Sequence, residues 1–95
     1  MQLKEGYLDH VLDEVGALAS RVALLNARFA KLKVSVKLEH YRELEDIRNR
    51  FAEFKRRVEE LADADDREAV RMQEVAEATW KDLIHSVDTL LAVLP

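Results

Sequence analysis

Three histidines each stand one helical turn from a carboxylate: His10 with Asp13, His40 with Glu43, and His85 with Asp82. Residues three apart share a helix face, so each pair could ligate a metal, as in helical-bundle di-metal sites. A di-metal site in a helical bundle also needs several inward-facing Glu. Most acids here lie off the apolar stripes. With 19 Asp and Glu in 95 residues, His–acid neighbours arise by chance. No metal and no cofactor is expected.

Other chemistry is thinly supplied. The serine nucleophile candidates are Ser20, Ser35 and Ser86, and none stands on a glycine-rich elbow. No glycine-rich phosphate loop is present. With no Cys, there is no thiolate, no disulfide framework and no Cys-based zinc site. A phosphoacceptor role for His40, as in bacterial phosphotransfer dimerisation domains, would want a small-residue or Pro-containing context. Glu39-His40-Tyr41-Arg42-Glu43 lacks it. No catalytic residue is assigned, and an enzyme is not expected.

The elements that would position these residues are helices. Val15, Leu18, Val22, Leu25, Phe29 and Leu32 follow alternating steps of three and four. That spacing places all six on one stripe, the seam of a coiled coil or bundle. They are the candidate interaction residues. A second stripe of Gly16, Ala19, Ala23 and Ala30 lies beside it, widened by Ala17, Leu24 and Ala27. A helix this apolar around its girth wants cover on more than one side. Gly16 either admits a neighbouring helix closely or is simply exposed.

Leu44, Ile47, Phe51, Phe54, Val58 and Leu61 form a second seam, coated by charged residues. Ala62-Asp63-Ala64-Asp65-Asp66 ends it in a burst of acids. Asp65 with Glu68 three residues on resembles a capping box at a helix start. The third helix carries Val70, Met72, Ala76, Trp80, Leu83, Ile84, Val87, Leu90, Leu91 and Leu94 as its apolar positions. Trp80 and Met72 read as core residues.

Charge narrows the partners. The net charge is −4. Residues 1–16 carry one Lys against Glu5, Asp9, Asp13 and Glu14. Residues 17–37 carry Arg21, Arg28, Lys31, Lys33 and Lys37 and no acid. Acid first and base last suits the dipole of one helix. Residues 63–95 hold eight acids against Arg67, Arg71 and Lys81, so they repel nucleic acid and anionic membranes. No stretch nears the ~20 apolar residues that span a bilayer. Met1-Gln2-Leu3-Lys4-Glu5-Gly6 lacks the apolar run of a secretory signal, and a cytoplasmic setting is expected.

The ambiguous stretch is Leu32-Lys33-Val34-Ser35-Val36-Lys37-Leu38, where apolar and polar residues alternate with a strand period. Ser35 could N-cap a second helix. The helix could instead run through, with Leu32, Val36, His40, Leu44 and Ile47 continuing the seam and His40 on it as a polar register-setter. Or residues 32–38 form a strand. In that form Lys33 to Leu38, followed by a helix, resembles the strand and first helix of ribbon-helix-helix DNA-binding proteins. The resemblance implies a dimer whose paired strands enter the major groove, with Lys33, Ser35 and Lys37 reading bases. It covers six residues. The long upstream helix, the overlong second helix and the missing glycine turn depart from that family.

Residues 1–95 are therefore expected to form one all-α domain, a three-helix antiparallel bundle with coiled-coil packing. Its helices should run about 3–33, 36–62 and 66–94. The alternative fold is a long hairpin, residues 3–62 against 66–94, dimerising into a four-helix bundle. The expected function is a protein–protein interaction or scaffolding module, a homodimer or a partner of another helical protein. The alternative function is a ribbon-helix-helix-like DNA-binding dimer.

Overall fold

The computed structural model describes residues 3–95, with side chains from Gly6 onward. The chain is an all-α three-helix bundle: α1 (Leu3–Ala30), α2 (Val34–Asp63) and α3 (Asp66–Val93). The helices hold 28, 30 and 28 residues and form a rod of 52 × 18 × 17 Å. Connections of two and three residues leave each helix no option but to fold back on its predecessor. So α1 and α3 run parallel, and polar contacts confirm their register: Tyr7 meets Gln73 and Glu77, and Arg21 meets Asp88.

The three seams meet along the axis. Leu18, Leu25, Leu44, Ile47, Phe54, Leu61, Leu83 and Leu90 are buried almost completely. Buried positions seven apart recur in every helix: Leu18–Leu25, Leu44–Phe51–Val58 and Ala69–Ala76–Leu83–Leu90. On α3 the inward residue of the first turn is Ala69, while Val70 is 54% exposed. The seven-residue step back from Ala76 selects Ala69, and the larger side chain is left outside. Gly16 is exposed, with nothing within 4 Å of where a Cβ would stand. Its place needs no close helix approach.

The chain breaks between Ala30 and Val34, which excludes the long hairpin of residues 3–62. The last turn of α1 tightens, with Lys31 N–H donating to the Arg28 carbonyl and Leu32 N–H to that of Phe29. Leu32 then packs against the core. Only Lys33 remains to reverse the chain, and it is the N-cap of α2 (φ −63°, ψ 150°) without a side-chain cap bond. The expected cap at Ser35 is not formed. Ser35 already lies inside the helix, because the Lys33 carbonyl accepts from Val36 and Lys37 N–H. Nor is the strand formed: residues 34–38 are the opening turns of α2, so the stretch likened to a DNA-reading ribbon is helical.

At the second boundary the expected cap is present. The Asp65 side chain accepts from Glu68 N–H at 2.8 Å. Such a cap contributes about 1 kcal/mol. Asp66 and Glu68 place further negative charge in the first turn, where the helix dipole favours it.

Candidate functional site

The parallel register of α1 and α3 assembles a polar cluster near the start of the bundle. Its members are Tyr7, His10 and Glu14, which share a face of α1, and Gln73 and Glu77 on α3. The Tyr7 hydroxyl lies 3.2 Å from both the Gln73 carbonyl oxygen and Glu77 Oε1 and donates across that fork. His10 Nε2 lies 3.5 Å from Glu14 Oε1 and 3.9 Å from Glu77 Oε1. The Tyr7 and His10 rings tilt toward each other with centroids 6.3 Å apart.

Glu14 is the unusual member. It is 8% exposed, the one buried acid among the described residues. Its Oε1 has no hydrogen-bond partner. The 3.5 Å approach of His10 is within ion-pair reach and too long for a good hydrogen bond. Burial pushes the Glu14 carboxyl above the ordinary carboxylate range. The charge of Glu77 adds to the rise, while His10 and Lys81 oppose it. Burial also raises the Tyr7 phenol, reinforced by Glu77, so Tyr7 stays a donor. Two carboxylates facing one another in a half-buried seam call for a proton or a cation between them.

The sign of the pH effect follows. An acid whose pKa is raised by folding stabilises the fold fully below its unfolded pKa, here about 4.5. That contribution is lost as pH rises through the folded value. Glu14→Gln should therefore melt with the wild type in acid and above it at neutral pH, measured by circular dichroism in chelator. A gap that closes as pH rises would contradict the arrangement.

The histidine pairs expected from spacing fare differently. His40 Nδ1 does contact Glu43 Oε1, at 3.2 Å, with the His40 side chain 16% exposed above the α2 seam. His10 turns to Glu14 and Glu77, and no hydrogen bond or ion pair joins it to Asp13 among the described residues. Asp82 and His85 are both exposed, and no hydrogen bond or ion pair joins them among the described residues. Glu14 and Glu77 were not singled out by sequence. A signal existed in the four-residue step from His10 to Glu14. It was hidden because Val15, the apolar neighbour, took the seam position. In the structure Glu14 is more buried than Val15.

The six expected interaction residues lie within the chain's own bundle. Leu18, Val22, Leu25 and Phe29 are buried, and Val15 and Leu32 are partly buried against the core. What α1 leaves outside is its second stripe of Gly16, Ala19, Ala23 and Ala30, joined by Leu12 and Ala27; all six are exposed, Leu12 by 57%. No helix of the described residues is long and apolar enough to cross a membrane. No family model, curated protein or solved structure matches the chain.

Proposed function

We infer that the chain is a small helical interaction module that pairs with a second copy of itself through the exposed flank of α1. The observation that carries this reading is the uncharged, exposed stripe from Leu12 to Ala30, beside the face that packs in the core. Steps of three and four repeat on it, as on a seam, and its small side chains let a second helix approach closely. Charge favours an antiparallel pairing. Asp9 and Asp13 are exposed near one end of the stripe, and Arg28 and Lys31 near the other. Two such helices laid head to tail bring acid against base at both ends.

Coiled-coil packing of the seams and a cytoplasmic setting belong to the same reading. They rest on the heptad spacing and on the heavily charged composition. A second helical protein could use the same stripe. The sequence carries no nucleophile elbow or phosphate loop, so the reading is a binding role and not a reaction.

Light scattering at micromolar concentration should give twice the chain mass. Ala23→Glu, an exposed substitution that barely changes helix propensity, should return the mass to 11.0 kDa with helicity intact. A wild-type monomer of that mass at high concentration would refute the pairing. Duplex DNA binding that weakens with salt would instead favour a nucleic-acid role.

A further inference from the structure

We propose that His10, Glu14 and Glu77 form a binding site for one divalent first-row transition-metal ion, bridging α1 and α3. This goes beyond the pairing of chains and does not depend on it. The three residues each offer a ligand atom, and these atoms all lie within 4.8 Å of one another. They are the one such group among the described residues.

Proximity of acids alone would mean little. The independent observation is Glu14, more than nine-tenths buried, whose Oε1 lacks a hydrogen-bond partner and points into the cluster. An unsatisfied buried carboxylate oxygen is costly unless something completes it. The spacing fits an ion. Zinc bonds of about 2.0–2.1 Å in tetrahedral geometry place neighbouring ligand atoms about 3.4 Å apart. His10 Nε2 stands 3.5 Å from Glu14 Oε1 and 3.9 Å from Glu77 Oε1. The two carboxylates lie within 4.8 Å of each other, and rotation of the Glu14 and Glu77 side chains toward His10 would draw the three atoms to that spacing.

The donor set narrows the ion. One imidazole and two carboxylates suit zinc, manganese, iron or cobalt better than calcium, which wants six to eight oxygens. Three protein ligands leave a further position for water, as in open zinc sites. The support around the ligands is also present. The Tyr7 hydroxyl donates to Glu77 Oε1, which orients that carboxylate as outer partners of metal ligands do. His10 is 63% exposed and gives the ion a way in. His10 and Glu14 sit on one helix and Glu77 on another, so the ion would pin the first half of α1 to α3.

Calorimetric titration of the full chain with zinc, and absorption spectroscopy with cobalt, test the site. One ion per chain is expected, with a rise in melting temperature as zinc exceeds its dissociation constant. His10→Ala and Glu77→Gln should abolish saturable binding and the thermal shift, with unchanged helicity in chelator. Glu77→Gln keeps an acceptor for Tyr7, and His10 is exposed, so neither needs to unfold the chain. His40→Ala and His85→Ala should leave binding intact. The single tryptophan, Trp80, stands one turn beyond Glu77 and should report the ion by its fluorescence. Absence of saturable binding would overturn the proposal. So would binding that survives both His10→Ala and Glu77→Gln, or half an ion per chain with a zinc-dependent doubling of mass.

Discussion

Phe54→Ala is expected to lower the stability of the fold by about 3–5 kcal/mol, and Leu25→Ala by about 2–5 kcal/mol. Both side chains are fully buried in the shared core. Truncation removes apolar contact and leaves a cavity that α-helical neighbours, tied by short connections, cannot readily fill. Small domains hold only about 5–15 kcal/mol in total, so either change consumes a large part of it. Arg28→Ala, on the exposed side of α1, should stay within about 0.5 kcal/mol. Urea unfolding followed by circular dichroism reads all three. Equal losses at Leu25 and Arg28 would mean that α1 presents a different face to the core.

Asn49→Pro should cost about 3 kcal/mol or more, while Val34→Pro should be neutral or stabilising by up to about 1 kcal/mol. Asn49 is exposed and lies midway along α2, so the loss is one of backbone alone: a missing N–H and a clash with the preceding turn. Val34 is the first residue of α2, where proline's fixed φ suits the helix and no N–H bond is surrendered. Lys33, at φ −63° and ψ 150°, already has the extended backbone that proline demands of the residue before it. Melting temperatures of the two variants separate a chain broken at residues 31–33 from one unbroken helix. In an unbroken helix both prolines would be disruptive.

These substitutions mark where local and long-range causes divide. The sequence by itself determined that the chain is helical, where its second boundary falls and most of the inward faces. Three apolar seams at helical spacing, with almost no glycine or proline inside them, leave few other ways to bury that surface. The cap at Asp65 was legible for the same reason, since a carboxylate reaching an N–H three residues on is a local event.

The stretch from Leu32 to Leu38 was only partly legible, because its alternating pattern admits three local readings. Anchoring of Leu32 against the core decided it, and the helix restarted at Val34 with Lys33 as its N-cap, two residues ahead of the expected Ser35 cap. The cluster of His10, Glu14 and Glu77 also belongs to tertiary structure. Glu77 stands more than sixty positions from His10 and Glu14 in the chain, and only the parallel register of α1 and α3 brings the three within 4.8 Å. Burial of Glu14 in place of Val15 came from the same docking. A helix seam is a band one or two residues wide, and the neighbouring helix selects which edge of that band it covers.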